Sequence, residues 1–186
     1  MTYKHVILDR DGVLNHEAAG VGYVLEPDQF LWLPGALDAL ARLRRSGMYI
    51  TVATNQSGVG RGLMTLAQLE AVHDRMRSDA ATHGGSLDAV LFCPHSPDDR
   101  CTCRKPAPGL IQEALARSGF SAGESILVGD DQRDLEAASR AGIRAALVRT
   151  GKGRRTELSL PHGSEIPIYD DLSQLVHAIL ETRAYG

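Results

Sequence analysis

Cysteine is scarce in this chain. There are three in 186 residues, and all of them fall within residues 93–103, "CPHSPDDRCTC". An odd number grouped this tightly excludes a disulfide framework, because one thiol is always left over and the closed loops would be tiny. The thiols are therefore expected to be reduced, which suits a cytoplasmic location. Also missing is any run of about 18 consecutive apolar residues, and the N-terminal "MTYKHVILDRDG" carries no signal-type apolar stretch, so no membrane partner is expected. The formal net charge is only −3. That balance gives no global attraction for nucleic acid, and an anionic ligand would have to be met by a local group of cations. Internal repeats and low-complexity tracts are absent too, which excludes solenoids and disordered tails. What remains, with 43% hydrophobic and 23% charged residues, is the composition of an ordinary globular protein, expected to be one domain spanning residues 1–186 and a monomer.

Short apolar runs alternate with longer amphipathic ones, the pattern of βα units around a parallel sheet with helices on both faces. Strands are predicted at 5–8, 49–53, 89–92, 125–129 and 145–148. Helices are predicted over 35–47, over 65–84 with a capping box of Thr65 and Gln68, over "APGLIQEALARSG" and "DLEAASRAG", and over "DLSQLVHAILETR" near the C-terminus. The Gly-, Arg- and Ser-rich stretch 151–167 is predicted to cross irregularly to a last strand.

Ligands of open α/β sheets bind beyond the carboxyl ends of the strands. There the sequence places Asp9-Arg10-Asp11-Gly12, then Thr54-Asn55-Gln56-Ser57, then Gly129-Asp130-Asp131. Residues two apart on an extended chain point the same way, so Asp9 and Asp11 are expected in one crevice with Asp130. Carboxylates so close repel one another unless a cation neutralises them, and an oxygen-only site that keeps its waters suits Mg²⁺.

Cys93, His95, Cys101 and Cys103 form a Cys₃His set suited to tetrahedral Zn²⁺, with no coordination position left open for chemistry. Its loop of Pro, Ser, Asp and Arg has little to bury and would gain order from the metal. The thiols would then brace the backbone just before Arg104 and Lys105.

The segments "DRDGVLN", "TNQSG", "CRKP" and "GDDQRD" resemble, in order, the motifs of the haloacid dehalogenase superfamily of phosphohydrolases. That resemblance implies a Rossmann-like fold, with Asp9 as nucleophile and Asp11 as general acid and base with a raised pKa. It implies Thr54 and Lys105 on the transferring phosphoryl group, and Mg²⁺ held by Asp9, Asp11 and Asp130. Asp134 would either orient that shell or cap its helix. Only 42 residues separate Asp11 from Thr54, which leaves no room for an inserted cap, so a capless enzyme is expected.

The zinc loop resembles that of bacterial heptose-bisphosphate phosphatases and histidinol-phosphate phosphatases. "TNQSGVGRGLMT" and "GYV" at 22–24 lean toward the first, whereas the five-residue gap between His95 and Cys101 matches the second. A phosphorylated sugar is thus the expected partner, its 7-phosphate removed to supply activated heptose for surface polysaccharide. Specificity would rest on loops 15–33, 57–64 and 93–104, with Gly22, Tyr23, Asn55, Gln56, Ser57, Arg61, Arg104 and Asp131 around the substrate. Arg61 and Arg104 would hold the retained phosphate. Glu17 would serve the ammonium of histidinol phosphate, or would be a solvated loop residue. Outside the hydrolases, the alternatives are a phosphotransferase and a zinc-bearing interaction domain without catalysis.

Overall fold

In the computed structural model, which describes residues 3–18 and 22–184, six parallel strands form one sheet. They are β1 (His5–Leu8), β2 (Tyr49–Asn55), β3 (Ala89–Cys93), β4 (Ser125–Gly129), β5 (Arg144–Val148) and β6 (Ile168–Tyr169). The spatial order is β3-β2-β1-β4-β5-β6. The connections run outward from β1 in one direction and then restart on its other side at β4, so the strand order reverses between β1 and β4. That reversal opens a crevice at their carboxyl ends.

Alternation along the strands decides which side chain joins which half of the core. Val6 and Leu8, Ile50 and Val52, Ile126 and Val128 pack into one cluster with Leu40, Leu43, Leu175 and Val176. Those residues come from α1 (Ala36–Arg45) and α6 (Leu172–Ala184), and α2 (Leu66–Thr82) adds Val72 and Met76. The intervening Ile7, Ala53 and Leu127 face the other way, onto Leu110 and Ile111 of α3 (Gly109–Ser118) and Ala137 and Ala138 of α4 (Gln132–Ala141). Both faces of the sheet are covered, and the central strands are mostly apolar because neither side meets water; His5, Thr51 and Ser125 are buried polar exceptions that hydrogen-bond across β1, β2 and β4.

The predicted strands and the five predicted helices are all present, with no end shifted by more than two residues. The capping box of α2 forms as expected: Thr65 accepts from the Gln68 amide, and Gln68 accepts from the Thr65 amide. Two readings change. Strand β2 extends through Thr54 and Asn55, which keeps both on rigid backbone. The stretch 151–167 is not wholly irregular, since it contains α5 (Gly153–Ser159). A seven-residue helix gains little from propensity. This one is held by tertiary contacts: Thr156 Oγ1 donates to the Asp130 carbonyl, and Arg149 pairs with Glu157. Composition does not reveal such contacts. Among the described residues, no helix is long and apolar enough to cross a membrane.

Candidate active site

The crevice at the carboxyl ends of β1, β2 and β4 is a cavity of about 270 Å³ lined by Asp9, Asp11, Thr54, Lys105, Asp130 and Asp134, among others. At its floor the Lys105 ammonium, 2% exposed, lies 2.9 Å from Asp9, 2.6 Å from Asp134 and 2.7 Å from the Ala53 carbonyl oxygen. Three acceptors meet three donors, so its geometry is fully determined. Burial pulls the Lys105 pKa down, but the charges of Asp134 and Asp9 outweigh that and leave it above the ordinary lysine value.

Asp9, Asp130 and Asp134 bring carboxylate oxygens within 4.8 Å of one another. Burial, the chief cause, raises Asp9 to about 6 against the pull of Lys105, with Asp134 and Asp11 pushing it further. Burial likewise raises Asp130 to about 8, helped by the charges of Asp9 and Asp134. Carboxylates that resist ionisation in this way are a site that a cation would relax, so the donor set fits a hard divalent ion. The close approach is secured by backbone. Lys152 donates its amide to Asp130 Oδ2 at 2.7 Å. Gly12, at φ +92°, lies so close that a Cβ there would fall on the Asp130 carboxylate.

Asp134, expected to orient the metal shell or to cap its helix, does cap α4 and also contacts Lys105. One oxygen accepts from the Asp131 amide at 3.1 Å as part of the α4 cap, and the other holds Lys105. The Asp11 carboxylate, expected in the metal set, is not in this group. It turns toward Arg10, accepting from Nη2 at 3.0 Å, from Asn15 Nδ2 at 2.9 Å and from Gln56 Nε2 at 2.8 Å. Burial pushes Asp11 up, but the Arg10 charge and these hydrogen bonds outweigh it, and its pKa lies below the ordinary value. The expectation of a raised Asp11 is corrected accordingly: crowding by a second carboxylate loses to a guanidinium in direct contact.

Arg10 is the residue that sequence reasoning missed. It is wholly buried, and its Nη1 lies 3.3 Å from Nε2 of His73, also wholly buried. Burial first, then the Arg10 charge, lowers His73 to about 3, so the ring is neutral and can accept from Arg10. A signal existed, because His73 shares the apolar face of α2 with Leu69, Val72 and Met76.

Of the expected substrate contacts, Gly22, Tyr23, Asn55, Ser57, Arg104 and Asp131 line the crevice. The Tyr23 and Ser57 hydroxyls are 2.9 Å apart. Asn55 makes both of its hydrogen bonds to the main chain of Lys105, at 2.9 and 3.0 Å, and so positions that lysine. Gln56 is buried and reaches Thr54 Oγ1 and Asp11 rather than the crevice. Arg61 is exposed and is not among the residues lining the crevice. Asp131 is held by Arg133 at 2.8 Å. Glu17 is no free carboxylate, since it pairs with Lys152 at 2.5 Å. Residues 19–21 of the expected specificity loop lie outside the described residues.

In the loop after β3, Cys93, His95, Cys101 and Cys103 converge. Cys93 Sγ is 3.1 Å from Cys103 and 3.5 Å from Cys101, and His95 Nδ1 is 3.2 Å from Cys103. A tetrahedron with Zn–S arms of 2.3 Å has edges of about 3.8 Å, so the four donors fit one ion after a small outward shift. Burial, the largest cause, pushes the Cys93 thiol well above its ordinary value. A bound metal would be needed to hold it as thiolate.

A family model described as HAD-hydrolase-like matches residues 102–175. The chain is 43% identical to D-glycero-beta-D-manno-heptose-1,7-bisphosphate 7-phosphatase of Bordetella bronchiseptica, over 96% of this chain and 98% of that one. It is 44% identical to D-glycero-alpha-D-manno-heptose-1,7-bisphosphate 7-phosphatase of Mycobacterium tuberculosis, over 75% and 74%. Among solved structures, D,D-heptose 1,7-bisphosphate phosphatase from B. bronchiseptica, complexed with magnesium and phosphate, superposes with a TM-score of 0.89 at 42% identity, covering 96% of this chain and 99% of that one.

Proposed function

Since this chain belongs to the haloacid dehalogenase-like phosphatases that include the heptose-1,7-bisphosphate 7-phosphatases, we propose that it removes the 7-phosphate of a D-glycero-D-manno-heptose 1,7-bisphosphate, residues 1–186 acting as one cytoplasmic domain. The observation that carries this reading is the Lys105 ammonium shared by Asp9 and Asp134. It fixes a carboxylate nucleophile and a phosphate-binding cation at one point of the crevice.

Asp9 attacks phosphorus to give an aspartyl-phosphate, while Lys105 and Thr54 meet the equatorial oxygens of the transferring group. Asp11 gives a proton to the departing sugar oxygen and later takes one from the water that opens the aspartyl-phosphate. Because Arg10 holds Asp11 ionised in the resting protein, the acid half of this cycle begins with proton uptake by Asp11. Asp9 and Asp130 would hold Mg²⁺, with Asp134 behind them, and the ion would neutralise charge on the phosphoryl oxygens. Zn²⁺ on Cys93, His95, Cys101 and Cys103 would be structural. It would brace the loop whose far end Asn55 clamps at Lys105.

Histidinol phosphate is the weaker reading. The carboxylate suited to its ammonium, Glu17, already has a cation in Lys152. The test is kcat/KM on heptose 1,7-bisphosphate, fructose 1,6-bisphosphate and histidinol phosphate, with Asp9→Asn expected to fold but not turn over. Preference for histidinol phosphate, or activity surviving in Asp9→Asn, would reject the assignment. A fully inactive wild type would revive the interaction-domain alternative.

A further inference from the structure

Building on the bisphosphate reading, we propose that Lys152 is the docking cation for the phosphate that does not react, and that Glu17 occupies its place until substrate displaces it. Among the described residues, four cations line the crevice: Arg104, Lys105, Arg133 and Lys152. Two are engaged elsewhere. Lys105 is committed to Asp9 and Asp134. Arg133 is bound through Nε and Nη2 to Asp131, at 3.0 and 2.8 Å. Arg104, tied to the His95 carbonyl at 3.4 Å, is placed to assist Lys152 from the cysteine-loop side.

Lys152 differs in having its two ends in different places. Its amide is anchored on Asp130 at 2.7 Å, beside the reacting centre. Its ammonium extends over the crevice to Glu17, on the loop that follows β1. The base of the side chain is thus tied to the chemistry while its tip samples the mouth.

The Lys152–Glu17 pair is open to exchange. The side chains are 41% and 40% exposed, and an ion pair so placed is worth about 1 kcal/mol or less. A phosphate dianion brings more charge and more acceptor oxygens than a carboxylate, so it competes well for the same ammonium. The nearby Asp131 carboxylate, 3.7 Å from Lys152, would oppose a second anion, but Arg133 already neutralises it. Arg61, expected from sequence to serve the retained phosphate, is exposed and off the crevice wall. Lys152 supplies the charge that Arg61 does not.

The experiment compares wild type, Lys152→Met, Lys152→Arg and Glu17→Gln on heptose 1,7-bisphosphate and on p-nitrophenyl phosphate, which has no second phosphate. Lys152→Met is expected to lower kcat/KM on the bisphosphate by roughly 10- to 100-fold, and on p-nitrophenyl phosphate by less than about threefold. Lys152→Arg should restore most of the loss, because the charge returns. Glu17→Gln should raise kcat/KM on the bisphosphate about two- to fivefold through a lower KM, the worth of an exposed pair. Equal losses of Lys152→Met on both substrates, or no loss on either, would overturn the proposal and leave the bisphosphate reading intact. So would a Glu17→Gln variant with a raised KM, an outcome readable even if Lys152→Met does not fold. A wild type that hydrolyses p-nitrophenyl phosphate but not the bisphosphate would reject the functional reading, and this inference with it.

Discussion

Replacing Lys105 with methionine removes the positive charge between the buried Asp134 carboxylate and the partly buried Asp9 carboxylate while keeping most of the side-chain volume. The ammonium is 2% exposed and lies 2.9 Å from Asp9 and 2.6 Å from Asp134. Breaking a buried pair leaves an uncompensated charge and costs about 3–5 kcal/mol, a large share of the roughly 5–15 kcal/mol by which a domain is stable. The cost must depend on pH. Asp9 already stands at about 6, raised first by burial and held down by Lys105, so the variant's Asp9 rises further. A carboxylate raised in the folded state contributes stability below its unfolded value and loses it as pH rises through the folded value. The deficit should therefore be small at pH 5, where Asp9 takes up a proton and can share it with Asp134, and near its full size at pH 8.5. Urea denaturation in the presence of chelator measures this. With a slope of about 2 kcal/mol/M, a 4 kcal/mol deficit lowers the midpoint by about 2 M. A deficit below about 1 kcal/mol at pH 8.5, or one equal at the two pH values, would refute the reasoning that Lys105 neutralises this pair.

Without metal, the protein's melting temperature should fall as pH rises from 6.5 to 8.5, because Asp130 at about 8 must ionise in a buried cluster. Added Mg²⁺ should flatten that slope, and an unchanged slope would count against a metal at these carboxylates. On the acid side, burial lowers His5 to about 4 and His73 to about 3. Their contribution is present above 6.5 and should be lost as pH falls toward those values, a decline that scanning calorimetry would register. Metal analysis of protein purified without chelator should find about one Zn²⁺ per chain. Cys101→Ala should lower both that content and turnover while the sheet stays folded, and zinc-free active protein would contradict this. Gly12→Ala should cost about 1–2 kcal/mol from its left-handed backbone alone, and raise the Mg²⁺ concentration needed for turnover by displacing Asp130. A variant with wild-type Mg²⁺ dependence would show that the cradle is not needed.

Much of the fold was legible because its determinants are local. A central parallel strand must be apolar on both sides, so "HVIL" and "SILVG" announce themselves, and Thr65 with Gln68 marks a helix start whatever lies nearby. The meeting of Asp9, Thr54 and Asp130 in one crevice was legible for a related reason, since strand ends of a parallel sheet converge wherever the order reverses. The convergence of Cys93, His95, Cys101 and Cys103 was legible because four donors within eleven residues can meet without help from the rest of the chain. Helix α5 was not, because seven residues hold their shape only against Asp130 and Arg149.

The sequence by itself determined most of the groups at the crevice, Asp9, Thr54, Lys105 and Asp130 among them, but it misplaced Gln56 and Arg61 and did not single out Arg133 or Lys152. It could not determine which carboxylate faces which cation, because those distances are set between segments far apart in the chain. Asp11 carries the same aspartate chemistry as Asp9, yet Arg10 pulls its pKa down while burial lifts Asp9 to about 6. Asp134 became the partner of Lys105, and Glu17 that of Lys152. Charge interactions change several-fold with an ångström of separation or a layer of burial, and only the tertiary structure supplies those two quantities.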